Sequence, residues 1–282
     1  MRPLYDAHQH FQFDELAPHR SAIAESLRAI GLGRAVVNGS CEQDWPSVSA
    51  LAVQYDWILP SYGLHPWDCG NRSGGWQSAL RAQIDADPRA HVGEIGLDRW
   101  MIDGVKPGDP RLAGLRVAPL EEQRDVFTWQ LALAAERNRA ASIHCVQAFG
   151  PMLEALAETK RPLRGFLLHA YSGPAEMIGQ FAELGAYFSF NASVLKLKNQ
   201  TRLELWKNIP AGRLLVETDA PAAPLPKDRA AYHLPPGPNG EILNHPANLE
   251  VAYSSLAAIR REPVEELSKL VEDNFQRLFL NS

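Results

Sequence analysis

Leu4-Tyr5-Asp6-Ala7-His8-Gln9-His10 is a short apolar run that closes on two histidines. In a strand, residues two apart project to the same side, so His8 and His10 can grip one ion together. The arrangement recurs down the chain. Runs from Leu4 to His8, Ala35 to Asn38, Ile58 to Gly63, His91 to Leu97, Ala140 to His144, Phe166 to His169, Ala186 to Phe190 and Arg213 to Thr218 read as eight strands. Helical patterns lie between them: Pro18 to Ile30, Trp76 to Asp85, Glu121 to Arg137, Gly150 to Glu158 and Ala175 to Leu184. One strand and one crossover helix per unit predicts an α/β protein, a single (β/α)8 TIM-type barrel covering residues 1–282 as one domain. The alternative left open by periodicity is a doubly wound sheet with an appended domain.

Two stretches interrupt the repeat. Asp98 to Ala118 is rich in Gly, Pro and Arg, and Ala220 to Pro246 is rich in proline. Both follow predicted strands, so a barrel would place them as loops on its C-terminal face, where function usually sits. Residues 247–280 read as two closing helices, with Pro263 starting the second.

The 282 residues carry 28 Lys plus Arg against 33 Asp plus Glu, a formal charge of −5. Tight sequence-independent nucleic-acid binders draw their affinity from a basic excess, so the acidic balance excludes that class. It leaves room for an enzyme that engages only a few nucleotides at a chain end, and equally for one with a substrate other than nucleic acid. At 45% hydrophobic and 22% charged the chain has the composition of an ordinary globular protein. Cys41, Cys69 and Cys145 form no pairable framework, no apolar run nears about 20 residues, and no signal segment opens the chain. A cytoplasmic protein is expected, with no membrane association and no obligate protein partner.

Ligand-type residues fall repeatedly at the strands. His8 and His10 mark the first, His65 follows the third, Glu94 lies in the fourth, His144 and His169 end the fifth and sixth, and Asp219 follows the eighth. Each alone has a plain reading as a core histidine or a turn carboxylate. Together, in a parallel barrel, they would face one mouth, and a metal centre is the reading that uses them all. Five imidazoles and two carboxylates exceed the needs of one tetrahedral ion, so two divalent ions are expected. Nitrogen and oxygen ligands without thiolate suit Zn or Mn, with Mg possible at the more oxygen-rich position. Such a pair lowers the pKa of a bound water and clamps the entering and leaving oxygens, which is hydrolytic chemistry.

His19, His91, His233 and His245 stand apart from this set. No phosphate-binding Gly-x-x-x-x-Gly-Lys loop, Gly-x-Ser-x-Gly elbow or His-Glu-x-x-His occurs. Cys145 adjoins His144 but points to the opposite strand face, which disfavours a Cys–His nucleophile.

Asp6-Ala7-His8-Gln9-His10, Gly63-Leu64-His65-Pro66, Gly93-Glu94-Ile95-Gly96-Leu97-Asp98, Ile143-His144, His169-Ala170-Tyr171-Ser172-Gly173, Glu217-Thr218-Asp219-Ala220-Pro221, Asn244-His245-Pro246 and Asn274-Phe275-Gln276-Arg277-Leu278-Phe279 follow in order. The series resembles the successive signatures of the TatD family of metal-dependent deoxyribonucleases. The resemblance implies that His8, His10 and Asp219 hold one ion, that Glu94 bridges, and that His144 and His169 hold the other. It implies a place for His65 beside the scissile group, a role for Asp219 in accepting a proton from the attacking water, and hydrolysis of phosphodiesters at DNA ends or in single strands.

One departure bears on substrate. Where family members often carry Arg-Asp-Ala, this chain has Val146-Gln147-Ala148, and Arg99 follows Asp98 where an aromatic is common. Arg99 is expected to replace the lost cation. Lys196 and Lys198 head a basic run with Arg202, Lys207 and Arg213, and Tyr171, Trp67 and Trp100 lie where they could stack a base. The missing arginine keeps a second substrate class open: a small ester, lactone or amide cleaved by the same metal centre.

Overall fold

The computed structural model describes residues 2–106, 108–196 and 200–280. Eight strands, β1 (Leu4–Gln9), β2 (Leu32–Gly39), β3 (Ile58–Tyr62), β4 (His91–Asp98), β5 (Ala141–Val146), β6 (Phe166–Leu168), β7 (Ala186–Asn191) and β8 (Leu214–Glu217), follow one another through one sheet in chain order. Between and after them lie α1 (Arg20–Ala29), α2 (Trp45–Gln54), α3 (Trp76–Ala86), α4 (Trp100–Asp103), α5 (Leu120–Glu136), α6 (Phe149–Glu158), α7 (Ile178–Glu183), α8 (Gln200–Asn208), α9 (Leu249–Arg260) and α10 (Val264–Phe275). The order is that of the (β/α)8 barrel expected from the sequence. Two compact units make up the chain: Met1–Val37, Ala50–Leu59 and Phe188–Ser282 form one, and Asn38–Ser49 with Pro60–Tyr187 the other.

In the first unit, β1 pairs parallel with β2, and the segment following β8 bonds to the end of β1. The Asp219 amide donates to the His8 carbonyl at 2.9 Å, and the His10 amide to the Ala220 carbonyl at 2.7 Å. All six residues of β1 and all four of β8 are buried. Strands covered on both faces read as continuous apolar runs, which is why Leu214-Leu215-Val216 was legible without alternation.

In the second unit, β4 pairs with β5 in the register Ile95↔Ile143, Gly96↔His144, Leu97↔Cys145 and Asp98↔Val146. This close approach dictates two glycines. A Cβ on Gly96 would meet the His144 carbonyl oxygen at 1.9 Å, and one on Gly93 would meet Ser142 Cβ at 2.7 Å. Both residues have φ near +150°, where side chains are disfavoured. Helix α3 buries Trp76, Leu80 and Ile84 at four-residue spacing. Burying Leu80 and Ile84 contributes about 2 kcal/mol each, well above the spread of helix propensity, so burial fixes this helix in place.

Several boundaries differ from the sequence reading. The helix expected from Pro18 begins at Arg20, after a 3-10 turn over Asp14–His19. There the Arg20 guanidinium donates to the carbonyls of Phe11, Gln12 and Phe13 at 3.1, 2.5 and 3.1 Å, satisfying groups that the turn leaves open. Strand β5 runs two residues past His144. Helix α2 was not anticipated; its buried Trp45, Val48, Leu51 and Ala52 are interleaved with serines that blur the period. Among the described residues, no helix is long and apolar enough to cross a membrane.

Candidate metal centre

The first unit brings His8, His10 and Asp219 together, with one ligand atom from each lying within 4.8 Å of the others. The two Nε2 atoms of His8 and His10 are 3.3 Å apart, and Asp219 Oδ1 stands 3.8 Å from the first and 3.6 Å from the second. Both histidines are buried. Asp219 sits in the left-handed region with φ 55°, unusual for a residue with a side chain, and is held there by its own amide's hydrogen bond to the His8 carbonyl and by the bond from the His10 amide to the next residue's carbonyl. The ring of His10 stacks on Phe13 at 4.6 Å.

Asp6 anchors this group. Its Oδ1 accepts from the backbone amides of His8 at 3.2 Å and Thr218 at 3.1 Å, and its Oδ2 accepts from the Thr218 hydroxyl at 2.6 Å. Burial pushes its pKa up to about 8 against the pull of these donors. The Thr218 carbonyl accepts from Asn191 Nδ2 at 3.2 Å and Asn244 Nδ2 at 2.9 Å, so both faces of the residue before Asp219 are tied down.

The second unit gathers His65, Glu94, His144 and His169. Glu94 Oε1 lies 2.7 Å from His169 Nε2, 3.0 Å from His144 Nδ1 and 3.5 Å from His65 Nε2. His169 Nε2 and His144 Nδ1 are 3.3 Å apart. His65 is presented by a loop whose amide donates to the Ser40 carbonyl at 2.8 Å, and its Nδ1 accepts from the Trp67 amide at 3.2 Å. That bond leaves the ring proton on Nε2, toward Glu94. Burial tends to lower the His144 pKa, but hydrogen bonds to Asp98 and Glu94 outweigh it and hold the ring above its ordinary value.

Two glutamines on α5, both buried, position this unit's ligands. Gln130 accepts from the Leu64 amide at 2.7 Å and donates to the Leu64 carbonyl at 3.2 Å, clamping the residue before His65. Gln123 accepts from the Asp98 amide at 2.8 Å and donates to the Asp98 carbonyl at 3.2 Å. Sequence reasoning passed over both, because a polar residue at helical spacing carries no sign of which backbone it satisfies.

The donor sets fit divalent ions. Each unit contributes imidazole nitrogen and carboxylate oxygen without thiolate, buried or half-buried, with hydrogen-bond partners behind the ligands. Cys145 is a free thiol whose pKa burial drives up, the reverse of an activated nucleophile. His91 is buried and accepts from the Ala140 amide at 3.3 Å, and His245 caps the turn at Pro246–Asn248 by accepting from the Ala247 amide.

The expected substrate residues are placed unevenly. Arg99 is exposed and paired with Asp103 at 3.0 Å, while its amide donates to the Val146 carbonyl at 3.0 Å, beside the position of the missing arginine. Lys196 is exposed in the turn after β7; Lys198 lies outside the described residues. The Tyr171 hydroxyl donates to the Pro174 carbonyl at 2.8 Å, and its ring packs edge-on against Phe149 and Phe181. Trp67 and Trp100 stack on each other at 6.0 Å, with the Arg111 guanidinium 4.6 Å above the Trp100 ring.

Comparison with known proteins agrees with this fold. The family model described as TatD related DNase matches residues 5–280, and the chain belongs to that family. It is 28% identical to the 3'-5' ssDNA/RNA exonuclease TatD of Escherichia fergusonii, covering 98% of each chain. It is 26% identical to the uncharacterized metal-dependent hydrolase YabD of Bacillus subtilis, again covering 98% of each. Among solved structures it resembles the TatD homologue YjjV of Escherichia coli, with TM-score 0.82, 24% identity, and coverage of 99% of this chain and 98% of that one.

Proposed function

We propose that this metal-dependent hydrolase of the TatD family cleaves phosphodiesters at the ends of single-stranded DNA, with two divalent ions of the Zn, Mn or Mg type. The carrying observation is the pair of ligand groups, buried or half-buried: His8, His10 and Asp219 for one ion, Glu94, His144 and His169 for the other. The nuclease names of relatives such as the Escherichia fergusonii exonuclease support the substrate class. A bound divalent ion supplies Lewis-acid chemistry, easing proton loss from water and neutralising charge on the scissile group.

The chain's own residues do the rest. Asp219, rigidly placed, accepts the proton of the attacking water at its carboxylate. His65 carries its proton on Nε2 and donates a hydrogen bond from it that orients the scissile group. Two divalent ions held by these residues would bring about four positive charges, enough to offset a net charge of −5 where a phosphate binds. Three cysteines left as free thiols suit a reducing compartment such as the cytoplasm.

The test measures bound metal and then turnover of single-stranded DNA, RNA and a model carboxylic ester, with Asp219→Asn as control. DNA turnover lost in the variant supports the reading. Ester turnover without DNA turnover, also lost in the variant, would replace it with the small-substrate reading that Val146-Gln147 in place of a cation keeps open.

A further inference from the structure

Asp98 accepts from three directions at once. Its Oδ2 lies 3.0 Å from His144 Nε2 and takes the indole N–H of Trp67 at 2.8 Å, while its Oδ1 takes the Met101 amide at 3.1 Å. The residue is 2% exposed, and Gln123 holds both ends of its backbone. An indole N–H and a peptide N–H are donors in every protonation state. Asp98 is therefore fixed as an acceptor, and the only bond it can make to His144 is from a protonated Nε2.

The opposite ring nitrogen, Nδ1, faces Glu94 Oε1 and His169 Nε2. We propose that Asp98 and Trp67 are positioning residues that keep the His144 proton on Nε2, so that the Nδ1 lone pair is presented to the ion held with Glu94 and His169. Trp67 is itself set by stacking: its ring lies on Trp100 at 23° between planes, and Arg111 covers Trp100. The Asp98–Trp67–Trp100–Arg111 series thus runs from a loop on the surface to a metal ligand. Trp100 and Arg111 belong to the segment between Asp98 and Ala118 that interrupted the sequence repeat. The inference rests on the metal centre proposed above and does not depend on whether DNA is the substrate.

Asp98→Leu is the direct test, because Leu has nearly the same shape but offers His144 no acceptor at all. Two readouts are taken. Nitrogen-15 NMR of the His144 ring in metal-free protein at alkaline pH locates its proton, and chelator competition with Zn(II) gives metal affinity. The wild type is expected to hold the proton on Nε2, and the variant to move it to Nδ1 with Zn(II) affinity lower by about 10- to 100-fold. A proton that stays on Nε2, or an affinity that stays within twofold, overturns the proposal.

Trp67→Phe serves if the first variant does not fold. It keeps a ring on Trp100 and removes one donor, and is expected to speed exchange of the His144 Nε2 proton and weaken Zn(II) binding several-fold. No change in either overturns the proposal equally. A wild type that binds no Zn(II) would sink the metal reading instead, and the proton position in the metal-free protein would still decide the part played by Asp98.

Discussion

Thr218 is bonded twice to Asp6, through its backbone amide at 3.1 Å and its hydroxyl at 2.6 Å, across 212 positions of sequence. The residue before Asp219 and the residue two before His8 are thereby held as one piece. Thr218→Val keeps the shape and deletes the hydroxyl, leaving Asp6 short of a donor inside the protein. The expected cost is about 1–3 kcal/mol, read from the denaturant midpoint. Metal affinity falls with it, and unchanged values for both would show that the double bond does not set Asp219.

Gly96→Ala tests the β4–β5 approach. The added Cβ would lie 1.9 Å from the His144 carbonyl oxygen, at a φ that side chains avoid, and the obstacle is backbone that cannot swing aside. Destabilisation beyond about 4 kcal/mol is expected, seen as loss of a cooperative melt or of folded protein altogether. A variant melting within a few degrees of wild type would mean that β4 and β5 can separate here.

Gln130→Leu removes the clamp on Leu64. The apolar replacement fits the volume but strands one amide and one carbonyl, at about 1–3 kcal/mol for each group left unsatisfied. Since His65 is the next residue, turnover should fall more than metal content does. Equal losses in both would place the effect on folding rather than on His65.

His245, which is not among the ligands, supplies a pH dependence of its own. Burial, followed by the nearby His19 and His233, lowers its pKa from 6.5 to about 4. Between those values the unfolded chain binds a proton that the folded one refuses, so stability rises with pH across the interval and is lost as pH falls from about 6.5 to about 4. His245→Asn retains an acceptor for the Ala247 amide and removes the titration. Its stability curve over that range should be flatter than wild type by up to about 3 kcal/mol; identical curves would exclude His245 as the source.

Arg99→Ala addresses substrate charge. The guanidinium is exposed beside Val146-Gln147 and is tied only by a surface pair to Asp103, a bond worth little in water. A rise of about 5- to 10-fold in KM for single-stranded DNA, with kcat and thermal stability unchanged, is the expected signature of a lost phosphate contact, about 1–1.4 kcal/mol. An unchanged KM would leave the missing cation without a substitute.

The sequence carried the strands' centres and the ligand residues because both are written in residue type. Leu214-Leu215-Val216 is apolar whatever surrounds it, and His8, His10, Glu94, His144, His169 and Asp219 belong to the few side chains that bind metals. What holds those ligands was not legible. Asp6, Asp98, Gln123 and Gln130 look like ordinary polar residues until a backbone amide or an indole arrives from 25 to 212 positions away. Boundaries slipped where a local bond decided them, as where Arg20 gathers three carbonyls and delays α1 past Pro18. Tyr171 shows the converse: aromatic character near a strand end does not reveal that the hydroxyl already serves the Pro174 carbonyl.

The segment after β4 is pinned at its far end as well as its near one. Arg116 donates to the Gly70 carbonyl at 2.9 Å, its amide meets Asn71 Oδ1 at 2.8 Å, and Glu122 receives both Arg116 and Arg72. A Cβ on Gly70 would fall 1.9 Å from the Arg116 carbonyl oxygen, so the seam is tight. With both feet fixed, residues between them can be added or removed for little more than the entropy of a longer loop, about 0.6 kcal/mol per doubling of length. Arg111 lies between those feet and covers Trp100, so a change of length there would reach the Asp98–His144 bond through Trp67 while the feet stay put.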